Sequence, residues 1–511
     1  MKPLATPEEM AKADQETIAS GVPAEVLMER AGATVARAVI RVLGARYGKR
    51  VVVVCGTGNN GGDGFVAARV LRREGYAVRC LVVGDIAKVK GAAAHHLELM
   101  RRRGIASEPF DGDGVRGDVI VDAIFGTGFH GSAEGDSRRA IEAMNESGAP
   151  IVTADIPSGL DGSTGLADGG AVEATVTVTM GARKVGLVVG DGSRYSGRIE
   201  VADIGLLAPN VGASLLDVED VVEFLPHREP ADHKRSGSSV AILAGSDEVT
   251  GASLLTARAA GRMGSGYVTL ATTPRVVQAA GVKLPEVLKR RVADRDHLGP
   301  EALDEIKDVL DRATVVAVGP GLGQGPDQRA LVERVLNEIE LPVVVDADGL
   351  NVLAGNTDVL KKRADAARVT VLTPHPGELA TLLGSSVADV EADRLENARE
   401  AARAFGCIVV LKGYRTVIAS PRDADEVDVR VNPTGGPVLA TAGTGDVLTG
   451  AIAALFGRNP DASPLGRVSA GVFVHGVAGD IVATERGVVG ALAWDIAEAL
   501  PAAIETIRDV A

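Results

Sequence analysis

The sequence predicts an α/β protein built from two doubly wound domains. Three observations carry this expectation. Short β-branched runs alternate with Ala-rich amphipathic stretches along the whole chain, the pattern of mainly parallel sheets covered on both faces. The strand series breaks once, after residue 221, and then restarts. A chain of 511 residues also exceeds what one ordinary core holds, so two domains are the natural division.

In the first half, "RVVVVC" 50–55, "VRCLVVG" 78–84, "DVIVDAIFG" 118–126 and "PIVTADIP" 150–157 read as strands, and "FVAARVLRREG" 65–75 as a helix between them. The stretch "VVEFLPHREPADHKRSG" 221–237 holds two prolines, several charges and two histidines, and reads as a linker. A new series follows: "SSVAILAG" 238–245, "YVTLAT" 267–272, "ATVVAVGPG" 313–321, "LPVVVDADG" 341–349, "VTVLTPHPGE" 369–378 and "CIVVLKG" 407–413. The expected organisation is a domain over 1–222, a linker over 223–235 and a domain over 236–511. There is no convincing internal repeat and no low-complexity tract.

A net charge of −14 argues against nucleic acid and anionic membrane as main partners. It leaves phosphate ligands open, because backbone N–H groups bind those. Cys55, Cys80 and Cys407 show no pairing pattern and read as buried thiols of a reduced, intracellular chain. The N-terminus has no apolar signal region, and no apolar run is long enough for a bilayer. The expected location is the cytoplasm.

Ligands of open α/β sheets bind beyond the carboxyl ends of the strands. In the first domain those ends carry "GTGNNGGDG" 56–64, "DAIFGTGFHGS" 122–132 and "DIPSGLDG" 155–162. The glycines alone fit a tight strand-to-helix turn as well as a phosphate-binding loop. The amides of Asn59 and Asn60, the carboxylate of Asp122 and the hydroxyl of Ser158 add hard oxygen donors at one end of the sheet, a set suited to a hard cation rather than to zinc or copper. Asp155 is either a catalytic carboxylate or a turn cap.

These motifs, with "EMAKADQETIASGVPAEVLMERAG" 9–32, resemble the NAD(P)H-hydrate epimerase family over nearly the whole first domain. The resemblance implies a Rossmann-like sheet that inverts the hydroxylated C6 of a hydrated nicotinamide ring, with Asp155 as the catalytic carboxylate. It implies substrate contacts at Asn59, Asn60, Gly61, Gly62, Asp63, Gly126, Thr127, Gly128, Phe129, His130, Gly131, Ser132 and Asp155. It implies a potassium ion held by Asn60, Asp122 and Ser158. The family's Pro–Lys motif reads "GARKVG" 181–186 here, with Arg183 before Lys184, so Lys184 reads either as the family lysine or as a solvated surface lysine.

In the second domain "AGTGD" 442–446 is the informative stretch. Its glycines can present backbone N–H groups at a helix start, and Asp446 can act as a base there, as phosphoryl transfer requires. An ordinary helix N-terminus stabilised by Asp446 fits equally well. It is not a Walker A loop, since no G-K-[ST] follows. With "GPGLG" 319–323 and "TPHPGE" 373–378 it resembles the ribokinase-like fold, and within that fold the ADP- or ATP-dependent NAD(P)H-hydrate dehydratases. The resemblance implies that Asp446 activates the C6 hydroxyl for phosphorylation, after which phosphate leaves. It implies hydrate contacts at Ala252, Gly323, His375 and Asp446. It implies nucleotide contacts at Lys412, Gly413, Tyr414, Arg415, Thr416, Gly436, Thr441, Ala442, Gly443, Thr444 and Gly445. His375, between two prolines, also reads as a rigid turn histidine, and His95 and His96 as helix-surface residues.

The two resemblances together imply a two-step repair enzyme. It epimerises the R and S hydrates of NADH and NADPH, then dehydrates the S form with ADP as co-substrate, giving NAD(P)H, AMP and phosphate. Potassium and Mg²⁺ are its expected ions, and a homo-oligomer its expected assembly. The alternatives are a small-molecule kinase with a non-catalytic N-terminal binding domain, and a non-enzymatic scaffold or RNA-related role for the first domain. The second alternative predicts loss of Asn60, Asp122, Asp155 and Ser158, all of which are present.

Overall fold

Arg50–Cys55 is exposed only at its first residue, and Val119–Ala123 and Ile151–Ala154 are buried throughout. Valine-rich strands of this kind need cover on both faces, and helices supply it. The structure is a computed structural model describing residues 1–44, 48–112, 115–230, 237–292, 295–423, 426–457 and 462–511. It divides into two units, Pro3–Ala213 and Ser214–Ala511, the second including Met1–Lys2. Both are α/β, as expected.

The first unit carries a parallel sheet in the order Ser107–Pro109, Ala77–Val82, Arg50–Cys55, Val119–Ala123, Ile151–Ala154, Val176–Met180, Arg198–Ala202. The chain winds outward in both directions from Arg50–Cys55, which makes the gap beside Val119–Ala123 the switch point where such sheets bind ligands. The helix Asn59–Arg73 starts soon after the strand, so "NNGGDG" forms its opening turns rather than a loop. The glycines there permit close packing. A Cβ on Gly61 would lie 2.0 Å from the Gly56 carbonyl oxygen, and one on Gly62 2.4 Å from Met28 Sδ.

In the second unit the strands run in the order Leu288–Arg291, Tyr267–Thr272, Ser239–Leu243, Val315–Val318, Val343–Val345, Thr370–Leu372, Ile408–Leu411, Val417–Pro421, Val427–Val431. All are parallel except the last two, which add antiparallel. The helix Thr444–Leu455, buried from Val447 onward, packs under this sheet.

Two local expectations are corrected. Pro464–Arg486 is long and apolar enough by composition to cross a membrane, although it lies mostly buried inside its unit. Its small residues and histidine interrupt the apolar run in sequence. His96 is buried rather than on a helix surface, with Nε2 2.9 Å from the Glu25 carbonyl oxygen, while its neighbour His95 is exposed.

The unit boundary at Ala213 precedes the expected linker, of which residues 231–235 lie outside the described residues. Leu216, Val221 and Leu225 join the same apolar cluster as Ile242, Leu270 and Ile452. A fragment 230–511 lacks three buried side chains, each worth roughly 1.5–3 kcal/mol. It is therefore expected to unfold at a clearly lower urea midpoint than 214–511. Equal midpoints would show that 214–225 is passive.

Candidate functional sites

The first site grows from the end of the strand Ile151–Ala154. Asp155 has φ 66°, a left-handed conformation that an aspartate tolerates better than most residues. It turns the side chain away from its own loop. Its Oδ1 accepts from Lys184 Nζ at 2.5 Å, the Met180 amide at 3.1 Å and Thr179 Oγ1 at 3.3 Å. Asp155 is therefore not the turn cap. Asp161 fills that role, accepting from the Ser163 and Thr164 amides and facing His130 Nδ1 at 2.9 Å.

Lys184 is 1% exposed, which excludes the surface-lysine reading. Its ammonium group donates to Asp155 Oδ1, Thr179 Oγ1 and the Met180 carbonyl, which engages all three N–H bonds. Leu4 and Ala5 pair in parallel with Arg183 and Lys184 and help to cover the lysine.

A cavity of about 270 Å³ opens here, lined by Asn59, Asp63, Thr127, Asp155 and Lys184. Helices Pro7–Ala19 and Ala24–Leu43 close it with Met10, Asp14, Leu27 and Met28. Of the expected substrate residues, Asn59, Asp63, Thr127 and Asp155 meet in this lining. Asn60, Gly61, Gly62, Gly126, Gly128, Phe129, His130, Gly131 and Ser132 stand outside it. Sequence reasoning missed Asp14. Burial raises its carboxyl above the usual range. Burial, Asp155 and Asp14 raise that of Asp63 much further, with Lys184 opposing.

Beside the cavity, Asn60 donates to the Phe125 carbonyl at 2.6 Å, while its buried Oδ1 has no hydrogen-bond partner. Asp122 is fully buried. Its Oδ1 accepts from Ser158 Oγ and the Ile124 amide, and its Oδ2 from the Ser158 amide and Thr153 Oγ1. Burial pushes its carboxyl up to about 6 against the pull of these donors. The orphaned Asn60 oxygen, beside other hard oxygens, fits a hard monovalent cation.

The second site lies at the carboxyl ends of the second unit's strands. A cavity of about 390 Å³ is lined by Lys412, Gly413, Tyr414, Arg415, Thr416, Gly436, Thr444 and Gly445 among the expected nucleotide residues. Thr441, Ala442 and Gly443 stand outside the lining. The Arg415 guanidinium lies 5.1 Å from the Tyr414 ring centroid and donates to the Pro433 carbonyl. His475, missed from sequence because it sits inside a buried helix, also faces this cavity. Its Nε2 bonds the Thr444 carbonyl at 3.0 Å, and burial lowers it to about 4, so it is neutral.

Gly443, at φ 90°, starts the helix that carries Asp446 in its first turn. A Cβ on Gly443 would meet Leu255 at 2.6 Å, so glycine is required there on both counts. Burial raises the Asp446 carboxyl to about 7, together with Asp346, Asp348 and Glu378 and against Lys412. Lys412 Nζ donates to Asp346 Oδ1 at 2.7 Å, and Thr449 Oγ1 to Asp346 Oδ2 at 2.6 Å. Burial works to lower the Lys412 ammonium, but Asp346 and Glu378 outweigh it and raise it. Asp348 receives the Gly323 amide at 2.9 Å, which ties "GPGLG" to this cluster. His375 caps the helix Pro376–Leu383. Its Nδ1 accepts from the Gly377 and Glu378 amides, the rigid-turn role, while its side chain remains half exposed. Ala252 lies on the helix Gly251–Arg262, 3.3 Å from where a Gly321 Cβ would stand.

Two α/β units, the first with carboxylates lining its cavity and the second with a glycine-rich cavity whose Lys412 pairs with an acidic cluster, define a two-site enzyme of nucleotide chemistry. Residues 240–502 match the family described as NAD(P)H-hydrate dehydratase, and residues 24–186 the family described as YjeF-related protein N-terminus. A bifunctional NAD(P)H-hydrate repair enzyme from Moorella thermoacetica is 39% identical over 527 residues, covering 99% of this chain and 97% of that protein. Its Escherichia coli counterpart is 34% identical over 479 residues, covering 92% and 87%. A crystal structure of the Bacillus subtilis ADP/ATP-dependent NAD(P)H-hydrate dehydratase, obtained with ATP and Mg²⁺, is 31% identical. It covers 57% of this chain and 98% of that one, at a TM-score of 0.47. The chain belongs to the family of bifunctional NAD(P)H-hydrate repair enzymes.

Proposed function

We propose that the first unit epimerises the R and S hydrates of NADH and NADPH at C6, and that the second dehydrates the S form with ADP. The observation that carries this reading is the contrast between the two carboxylates. Asp155 is ion-paired to a buried lysine in a small cavity. Asp446 is held near neutrality at a helix N-terminus, close to the Lys412 cavity. The first arrangement steadies a cation, as a ring whose nitrogen shares positive charge with C6 requires. The second suits a base that takes a hydroxyl proton near neutral pH.

In the second unit Asp446 takes the C6 hydroxyl proton as that oxygen attacks the terminal phosphorus of ADP, and AMP leaves. Phosphate then departs from C6 with the C–O electron pair, and loss of a C5 proton restores the ring double bond. Lys412 and Arg415 would face the nucleotide's phosphates, with the amides of the Thr444–Leu455 first turn. Mg²⁺ would be held beside the acidic cluster of Asp346, Asp348 and Glu378, where it would supply positive charge to the nucleotide's phosphates. The test supplies mixed hydrates with ADP or ATP, Mg²⁺ and K⁺. Full return of reduced-nicotinamide absorbance is expected. Return of the S fraction alone would deny the epimerase, and no return would deny the dehydratase.

Potassium would be held by Asn60 through its free Oδ1, with Asp122 and Ser158 completing the set. Asp122 already receives four donors, so direct ligation requires the Ser158 hydroxyl to turn away. When bound, the ion supplies positive charge beside the 122–132 loop. Replacing K⁺ by tetramethylammonium at equal ionic strength is expected to lower the first unit's melting temperature. Asn60→Ala is expected to abolish that difference, and an unchanged difference would remove Asn60 from the ion.

A further inference from the structure

We propose that Asp63 is the proton donor of the epimerisation, working with Asp155 in the same cavity. This rests on the epimerase reading of the first unit.

Asp63 sits in the opening turns of the helix Asn59–Arg73. Close packing pins that backbone: the Asp63 carbonyl oxygen lies 2.4 Å from where a Gly32 Cβ would stand, and Cys55 Sγ 2.6 Å from a Gly64 Cβ. The Asp63 side chain lines the cavity with Asp155 and Asn59. Its carboxyl has no hydrogen-bond partner among the described residues, whereas Asp155 has Lys184, Thr179 and Met180. The charged groups facing it are Asp155 from the strand end, Asp14 from the helix Pro7–Ala19, and Lys184. Helix Ala24–Leu43 contributes apolar Leu27, Met28 and Ala31 to the same wall. Lys184, the one basic side chain among the described residues of the lining, has all three of its N–H bonds engaged, one of them with Asp155.

Three carboxyls, Asp14, Asp63 and Asp155, thus line one cavity with one lysine, and the lysine pairs with Asp155. Asp63 is driven to keep its proton, by burial first and then by the two neighbouring carboxylates. A carboxyl that keeps its proton in the same cavity as an ion-paired carboxylate is placed to act as the acid.

The chemistry needs such an acid, because hydroxide is a poor leaving group. Asp63 gives its proton to the C6 hydroxyl. The C–O bond breaks and its electron pair leaves with water. The ring-nitrogen lone pair forms the C=N bond, and the Asp155 carboxylate stabilises the cation. Water then adds to the opposite face and returns a proton to Asp63. Nothing is consumed, and only the configuration changes.

The test uses the full-length protein, a single hydrate epimer and no nucleotide. Asp63→Asn is expected to slow equilibration of the epimers by about 10²–10⁴-fold. Affinity for unhydrated NADPH, measured by calorimetry, should stay within a few-fold, and dehydration of the S hydrate with ADP should be unchanged. The wild-type rate should fall at alkaline pH as Asp63 loses its proton. Asp63→Glu should keep that alkaline limb. Near-normal equilibration by the Asn variant would overturn the proposal. So would a parallel loss of NADPH affinity, or a Glu variant without the limb. A wild-type protein that does not equilibrate the epimers would instead overturn the epimerase reading itself.

Discussion

Asp446→Asn is expected to slow dehydration by about 10²–10⁴-fold, the usual cost of losing a positioned base. Epimerisation should be unchanged and ADP affinity should stay within a few-fold. The amide keeps the side chain's size and its place in the helix's first turn, but it cannot take the hydroxyl proton. The pH dependence sharpens the test. Burial with Asp346 nearby holds the carboxyl up at about 7, so the wild-type rate should fall on the acid side of that value. Stability should move the other way. A carboxyl raised on folding opposes folding progressively as pH climbs from about 4 to about 7, and constantly above that. The Asn variant carries no such penalty, so at pH 8 it should melt above the wild type. A variant that is slower, more stable and still binds ADP would fit a base held at a cost in stability. Turnover near the wild-type rate would remove Asp446 from the reaction. Loss of ADP affinity together with turnover would mark it as a binding residue.

How far the sequence shows the fold and the sites depends on how local each cause is. Buried parallel strands declare themselves as short β-branched runs, and most of those runs became strands within a few residues of their expected limits. Val176–Met180 does not declare itself, although "VTVTM" is β-branched, because it alternates with threonine and follows a glycine-rich loop. Arg198–Ala202 lies at the sheet edge, where half-exposed charges mask the pattern. The glycines of 56–64 were visible, but not their packing duty, which depends on Met28 and Ile124 brought up from elsewhere in the chain. Asp155, Asp122 and Asp446 stood out because strand ends and a helix start place them. Asp14 reads as one more acidic residue on an amphipathic helix, and only the docking of that helix turns it into the cavity. Lys184 is the sharpest case. Nothing in "GARKVG" tells a solvated lysine from a buried one, and the pairing that covers it comes from residues near position 5.

That buried pair makes Asp155→Asn the second variant with a large expected effect, and the one most open to misreading. Epimerisation should fall by about 10²-fold or more, with dehydration of the S hydrate unaffected because the second unit has its own site. The substitution also leaves the Lys184 ammonium buried without its carboxylate, and breaking one side of a buried pair costs roughly 3–5 kcal/mol. The first unit should therefore melt lower, and lost activity could follow from lost structure alone. The double variant Asp155→Asn, Lys184→Met separates the two causes. Methionine is similar in length and needs no partner, so the charge mismatch disappears. Replacing a buried ion pair by neutral groups of similar volume is often close to neutral for stability. The double variant should regain most of the melting temperature lost by the single one, yet still fail to equilibrate the epimers. Recovery of both stability and epimerisation would show that Asp155 serves only to hold Lys184. Recovery of stability alone would place the pair in the chemistry, with Lys184 as the residue that holds the Asp155 carboxylate in position.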